Sequence, residues 1–207
     1  SLSVSGTTNL GANVTTTGTQ TYAGAMTVSA DSVLSASGLS LGSVTLASGG
    51  TGYKLTLNNT DANSVISGVI SGAGGLVKVG AGTLTLNGDN TYAGTTSVNA
   101  GTLKLGHAHA LGSDATGSST SVGAGASLDL NNLSVSEPVT LAGGQVKNGV
   151  LTGAMALTAD STIEAGAGSS ITLSGPISGS YGLTLAGGDT ITLSGNNSYT
   201  GETTISA

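Results

Sequence analysis

Short segments of alternating character recur along the whole chain: an apolar residue, a small polar or charged residue, then a second apolar residue. Successive side chains of a β-strand point to opposite faces, so each segment predicts a strand with two residues buried and one exposed. Lys104, between Leu103 and Leu105, is expected to point outward. The pattern predicts an all-β protein with short strands, the clearest at residues 44–46, 55–57, 84–86, 128–130, 171–173, 183–185 and 191–193.

Helices are not expected anywhere in the chain. No stretch long enough to form a helix has a helical apolar period, and 36 glycines are spread along the sequence. Each internal glycine would cost a helix roughly 1 kcal/mol relative to alanine. Two prolines, Pro138 and Pro176, are each expected to interrupt a strand ladder because proline lacks a backbone donor.

A longer repeat overlies the short one. Residues 91–100 (TYAGTTSVNA) are echoed by residues 198–207 (SYTGETTISA), and the pattern begins again at residues 21–24 (TYAG). Tyr22, Tyr92 and Tyr199 are thus equivalent, and we expect their rings to pack at a corner and their hydroxyl groups to reach solvent or a backbone partner. Because the last copy stops at Ala207 and the sequence opens at Ser1, we expect a piece of a longer array whose bare end stacks on other copies.

Two architectures bury many short alternating strands: a sandwich or barrel of hairpins, and a parallel solenoid. Aromatic residues are only 2% of the chain, which disfavours a sandwich with aromatic core anchors. A solenoid instead stacks Leu, Val and Ile inside and Thr, Ser and Asn along its faces. The sequence therefore predicts one elongated domain over residues 1–207, with about 8 to 10 turns of roughly 20 to 25 residues.

Composition and charge exclude several classes of function. Without cysteine there are no disulfides, thiol nucleophiles or cysteine-based zinc sites. Four lysines against ten acidic residues leave no basic surface for nucleic acid or anionic membranes. The sequence has no apolar run long enough to span a membrane as a helix and no recognisable signal peptide. No cofactor is expected.

Residues 74–106 carry a family resemblance: GGLVKVGAGTLTLNGDNTYAGTTSVNAGTLKLG resembles the passenger-associated repeat of bacterial autotransporters. Looser matches at residues 127–132, 138–144 and 177–207 extend the resemblance over most of the chain. The resemblance implies a right-handed parallel β-helix. It also implies export through the inner membrane, passage across the outer membrane by a C-terminal β-barrel of the parent protein, and display on the cell surface or release.

Candidate chemistry is sparse. His107 and His109 could share a metal with Asp114 as a third ligand, but we interpret them as a solvated loop pair and assign no metal site. Residues 38–42 (GLSLG) match a nucleophile motif, but no helix is predicted after Ser40, so we attribute the match to chance. Asp89 and Asn90 are expected to shape a turn.

Other motifs support no site either. The glycine-rich residues 72–75 and 123–125 lack the context of a phosphate loop, and residues 187–189 (GGD) lack the tandem neighbours of a calcium-binding repeat. Thr-x-Thr pairs at 15 and 17, 83 and 85, and 190 and 192 do not recur once per turn, as an ice-binding array would require. The nearest approach to an acidic cluster is formed by Asp129, Asp160 and Glu164.

These observations favour a non-enzymatic, surface-exposed passenger segment that adheres to a host surface or matrix, associates with other copies along the rod, or serves as a stalk. One alternative is a catalytic β-helix acting on polysaccharide, which needs two carboxylates about 5 to 10 Å apart. Another is a passive spacer for a domain elsewhere in the parent protein. No catalytic, cofactor-binding or metal-binding residue is assigned.

Overall fold

The computed structural model describes residues 1–47, 52–113 and 118–206, and all of its regular structure is β. The described strands are mostly three to five residues long and run, in chain order, β1 (Leu2–Val4), β2 (Thr8–Leu10), β3 (Val14–Thr15), β4 (Gln20–Tyr22), β5 (Met26–Val28), β6 (Ser32–Ala36), β7 (Leu39–Leu41), β8 (Val44–Leu46), β9 (Leu55–Asn59), β10 (Ser64–Ile66), β11 (Ile70–Gly72), β12 (Leu76–Val79), β13 (Thr83–Leu86), β14 (Thr96–Val98), β15 (Gly101–Leu105), β16 (Thr120–Gly123), β17 (Ala126–Val135), β18 (Val139–Ala142), β19 (Gln145–Leu151), β20 (Met155–Ala159), β21 (Ser161–Ala165), β22 (Ile171–Leu173), β23 (Ile177–Gly179), β24 (Leu183–Gly187), β25 (Ile191–Leu193) and β26 (Thr203–Ser206). Each of the predicted apolar-polar-apolar segments falls in one of these strands.

The strands form a parallel solenoid, as the sequence predicts, and the solenoid has three sides. Side 1 stacks, among the described residues, eleven strands in the order β1-β4-β7-β10-β13-β15-β17-β19-β21-β24-β26. Side 2 begins as β2-β5-β8-β11, and side 3 runs from β3 to β23. All of these strands pair in parallel with the strand one turn away, giving about ten turns. The expected all-β parallel β-helix is therefore confirmed.

The turns differ in length. Leu103 pairs with Leu128 one turn later, and Val146 pairs with Ile163 one turn later. The first of these turns takes more of the chain than the second, because more residues separate β15 from β16 than separate β19 from β20. Insertions between strands absorb such differences, so the interior columns stay in register while the loops at the corners vary.

Side 2 continues beyond β11 without a regular strand and is then rebuilt by longer strands. Thr91 and Ala93 donate backbone hydrogen bonds to Ile70 and Gly72 of the preceding turn. In the later turns β17 bends from side 1 onto side 2 at Asn131, which adopts a positive φ of 51°. Asparagine tolerates this left-handed conformation better than most residues, and its side-chain amide donates to Leu105 O of the turn before.

A continuous apolar core fills the solenoid. On side 1 the inward column includes Leu84, Leu103, Leu128, Val146 and Ile163, each paired with the next and each at most 2% exposed. Burying each such side chain contributes about 1.5 to 3 kcal/mol. The outward prediction for Lys104 is also confirmed, because its neighbours Leu103 and Leu105 are buried while Lys104 is half-buried.

The equivalent tyrosines explain part of the long repeat. Tyr92 is fully buried and shares a hydrogen bond of 2.6 Å with Thr96; Tyr199 shares one of 2.8 Å with Thr203. The expectation of a solvent or backbone partner was wrong for Tyr92, because the threonine four residues later supplies a side-chain partner inside the rod. Tyr22 has a different partner, because its buried hydroxyl donates to the Gln20 side chain, and the expectation was wrong there as well.

The glycine two residues after each tyrosine is needed for close approach between turns. A Cβ at Gly24 would lie 2.3 Å from Gly6 O, and one at Gly94 would lie 2.4 Å from Gly74 O. At Gly201 the corresponding distance, to Tyr181 O, is 2.1 Å. The Tyr-x-Gly pattern thus encodes a packed ring followed by backbone stacked too tightly for any side chain.

The two prolines lie beside the ladders rather than inside them, which corrects the expectation. Pro138 immediately precedes β18 and Pro176 immediately precedes β23. Each carbonyl still accepts a ladder bond from the preceding turn, from Thr120 N and Met155 N respectively. The missing proline donors therefore fall just before a strand starts. No helix in the described part of the chain could cross a membrane.

Candidate functional site

The outward face of side 1 carries a column of charged residues. In register, one turn apart, lie Lys104, Asp129, Lys147 and Glu164. We call these four residues the charge ladder. Adjacent members are spaced by the interstrand distance of about 4.8 Å, so the ladder presents alternating charges over roughly 15 Å of the rod. All four are half-buried by their neighbours.

Three of the four ladder residues line an open groove of about 520 Å³ that crosses five turns of side 1. The polar residues that line the groove include Thr83, Thr85, Thr102, Lys104, Asp129 and Lys147. Two of the four lysines of the chain are among them. The groove is therefore where this acidic protein concentrates the positive charge of its surface.

The two lysines of the groove have no carboxylate partner among the described residues, whereas the carboxylates of the ladder already accept hydrogen bonds. In the described residues no carboxylate lies within 4 Å of the Lys104 or Lys147 ammonium group. The close contacts found there between a carboxylate and a basic side chain join Asp89 to His107 and His109. Asp129 Oδ1 accepts hydrogen bonds from Asn131 N at 2.9 Å and Asn148 Nδ2 at 3.2 Å. The acidic member is fixed in place, and the basic members keep their donors for a ligand.

Hydrogen bonds also fix the side chain of Glu164, the last residue of the ladder. Ser127 Oγ donates to Gln145 Oε1 at 3.2 Å, and Gln145 Nε2 donates to Glu164 Oε2. This chain of side chains links three successive turns of side 1 beside the ladder. The face is consequently a rigid polar surface rather than a set of independent side chains.

Side 3 differs from side 1 in the charge of its outward face. Its outward column contains only small or uncharged residues, in register, namely Val33, Thr56, Val77, Ser97, Ser121, Thr140, Ala156 and Ser178. The expected Thr, Ser and Asn character of the faces thus fits side 3 and misses the charges of side 1. The ladder residues were not recognised in sequence as one site because the unequal turn lengths hide their register.

The acidic residues considered for catalysis are only partly brought together. Asp129 and Glu164 lie on the same face, two turns or about 10 Å apart, with Lys147 on the turn between them. Asp160 lies outside this column and accepts a hydrogen bond from Gly182 N at 2.7 Å. A sugar ring placed between the two carboxylates would meet the Lys147 side chain.

The histidine pair acquires a partner that the sequence interpretation missed. Asp89, one turn earlier, places Oδ1 2.9 Å from His109 Nδ1 and 3.7 Å from His107 Nδ1. The two imidazole rings lie edge to face with centroids 5.4 Å apart. Asp114, the third ligand considered from sequence, lies outside the described residues. The separation of Asp89 and His109 along the chain matches one turn and was the available signal.

The remaining sequence motifs have structural roles. Ser40 of the GLSLG motif points outward from strand β7, between two buried leucines, and no helix follows it in the described chain. Asn90 shapes its turn as expected, accepting from Ile70 N at 2.8 Å and donating to Ala110 O at 2.6 Å. Thr83 and Thr85 both line the groove of side 1.

Comparison with known proteins supports the resemblance to autotransporter passenger repeats. The family model described as passenger-associated-transport-repeat matches residues 76–105 and 183–207. The protein is similar to the adhesin BmaC autotransporter of Brucella suis biovar 1 (strain 1330), with 38% identity over 174 residues. The alignment covers 79% of this chain and 5% of that relative, so the chain spans about one twentieth of it. No solved structure matches the chain significantly.

Proposed function

Because this chain is a segment of an autotransporter passenger domain, we propose that it is a non-enzymatic adhesive module displayed on the bacterial surface, with the charge ladder of side 1 as its contact surface. The relative it matches is itself named an adhesin. A passenger of this class is joined in its parent protein to an outer-membrane β-barrel, and we propose that residues 1–207 form one continuous unit of the rod.

The observation that carries the proposal is the pair of lysines that flank Asp129 in the groove. Lys104 and Lys147 stand two turns apart, about 10 Å, without a carboxylate partner among the described residues. An extended acidic chain, such as a polyanionic glycan or an acidic peptide of a host matrix, could follow the groove and meet both ammonium groups. Such surface contacts are individually weak, and repetition along a rod strengthens them by multivalency.

Display on the cell surface tests the proposal directly. Cells carrying this segment on an unrelated outer-membrane anchor are compared with cells carrying the anchor alone, for retention on host matrix and for settling in suspension. We expect retention to increase with the segment and to fall as salt rises, because exposed charge contacts are screened.

The double substitution K104Q/K147Q should lower retention to the level of the bare anchor. Lys54 is an exposed lysine outside the groove, so Lys54→Gln is the matched control and should leave retention unchanged. Equal retention for K104Q/K147Q and Lys54→Gln would contradict the assignment of the contact surface. No gain from the segment in either assay, with display confirmed by antibody, would favour a passive spacer.

Self-association is the second form of adhesion that the ladder supports. Its charges alternate along the rod, so two copies offset by one turn would place lysine against carboxylate. Settling that the segment increases and K104Q/K147Q abolishes, without retention on matrix, would assign the face to contact between copies.

A further inference from the structure

A second polar cluster lies at a corner of the rod, away from the charge ladder. It consists of Asp89, in the loop after β13, and of His107 and His109, in the turn after β15. We call these three residues the histidine–aspartate cluster. Their potential ligand atoms all lie within 4.8 Å of one another, and two successive turns of the solenoid contribute to it.

The spacing of the cluster suits a tetrahedral transition metal. Two ligands each about 2.0 to 2.1 Å from a tetrahedral Zn²⁺ are about 3.3 Å apart. Asp89 Oδ1 lies 2.9 Å from His109 Nδ1 and 3.7 Å from His107 Nδ1, values on either side of this distance. Small side-chain rotations would therefore open space for an ion without moving the backbone.

The backbone that carries the cluster is fixed on both turns. Asn90 N donates to His109 O at 3.1 Å, and the Asn90 side chain bonds Ile70 N and Ala110 O. In the histidine turn, Ala110 N donates to His107 O at 3.1 Å. Asp89 and the two histidines are thus held next to one another before any ion arrives, which lowers the cost of ordering the ligands.

The Asp89 carboxylate is not required to build its turn. In the equivalent repeat, Asn196 and Asn197 occupy the positions of Asp89 and Asn90, and Asn197 Oδ1 accepts from Ile177 N at 3.0 Å, as Asn90 Oδ1 accepts from Ile70 N. The turn therefore forms with asparagine in place of the aspartate. Asp89 differs from its counterpart in offering a negative charge, and it offers that charge to two imidazoles.

We propose that the histidine–aspartate cluster binds one Zn²⁺ ion, or a divalent ion of similar ligand preference, through two imidazole nitrogens and one carboxylate oxygen. The side chains of His109 and Asp89 are 58% and 63% exposed, so the fourth position is open to water. Bound at His107 Nδ1, the ion replaces the hydrogen bond that this atom accepts from His109 N. The ion would fasten two adjacent turns of the rod to each other.

Histidine ring signals in NMR test this proposal cleanly because the chain contains only two histidines. The folded full chain is titrated with ZnCl₂ while the imidazole resonances are recorded, and the stoichiometry is measured by calorimetry. We expect one ion per chain and shifts in both rings. CaCl₂ should leave both rings unshifted, since Ca²⁺ prefers oxygen ligands.

Three variants assign the site. Asp89→Asn, which copies the other repeat, His107→Gln and His109→Gln should each weaken Zn²⁺ binding about tenfold or more while leaving the circular dichroism spectrum unchanged. Asp189→Asn, a change to another exposed turn aspartate, should leave binding unchanged. Absence of Zn²⁺ binding by the unaltered chain, or binding that survives Asp89→Asn and His109→Gln, would overturn the proposal.

Discussion

Lys78 occupies an interior position of the solenoid, and its charge makes stability depend on pH. It lies in register between Leu57 and Val98 in the inward column of side 3 and is 1% exposed. Its ammonium group donates to Val79 O and Gly80 O, each at 2.7 Å. Burial lowers the pKa of Lys78 from 10.5 to about 8. Substitution by methionine keeps a long apolar stem and removes the charge.

The sign of the effect follows from proton linkage. Between pH 8 and 10.5 the unfolded chain holds the Lys78 proton and the folded chain has released it, so stability rises with pH. The gain is complete above 10.5 and is lost as the pH falls through 8. At about 1.36 kcal/mol per pKa unit, raising the pH from 7 to 9.5 should stabilise the fold by about 2 kcal/mol. Burial raises the pKa of Tyr22 and of Tyr92 in the folded chain, so these residues lower stability only as the pH approaches the unfolded value of 10.0, above the two pH values compared.

Urea denaturation at pH 7 and at pH 9.5 measures this gain as the change in the free energy of unfolding. Lys78→Met should remove it, and the exposed Lys54→Met should retain it. The difference between the two pH values isolates the charge, because the loss of donors to Val79 O and Gly80 O affects Lys78→Met at both. An equal gain in Lys78→Met and in the unaltered chain would refute the assignment of the pH dependence to Lys78.

Two further substitutions test the packing. Gly94→Ala forces a methyl group to within 2.4 Å of Gly74 O and should destabilise the chain by about 2 kcal/mol or more in thermal unfolding. Gly188→Ala is the control, because no atom lies within 4 Å of its new Cβ, and it should change stability by less than about 0.5 kcal/mol. Equal effects of the two substitutions would contradict the close-approach explanation. Tyr92→Phe removes the buried hydrogen bond to Thr96 and should cost about 1 to 2 kcal/mol in urea unfolding, whereas an unchanged midpoint would show that this bond contributes nothing.

The fold could be predicted from sequence because its smallest unit is local. In 128–130 and 171–173 the alternation of apolar and polar residues fixes which side chains face inward, whatever the strands pair with. Near-absence of aromatic anchors then favoured a solenoid over a sandwich. Corners such as that at Asn131 could not be predicted, since the left-handed turn depends on the amide reaching Leu105 O of the previous turn.

The candidate sites were harder to predict because each is assembled across turns. The chain from Lys104 to Asp129 is longer than the chain from Asp129 to Lys147, although each spans one turn, so no fixed period reveals their column. Lys104 and Asp129 do stand at the centre of apolar-charged-apolar segments, which was the usable signal, whereas Lys147 is followed by the polar Asn148. Lys78 also follows the alternation, two residues after the inward Leu76, yet its charge makes an interior position unexpected from composition alone.

Stacking itself limits where a solenoid can place charge. Residues at the same position of successive turns lie about 4.8 Å apart, so identical charges in one column repel along the whole rod. The charge ladder avoids this repulsion by alternating lysine with a carboxylate, from Lys104 to Glu164. At a corner, the histidine–aspartate cluster places Asp89 against two imidazoles of the next turn, so no like charges meet there either. Functional charge in such a rod is therefore expected in columns of alternating sign or at corners where turn length varies. Side 3 carries small uncharged residues in register, so its turns stack without repulsion between like charges.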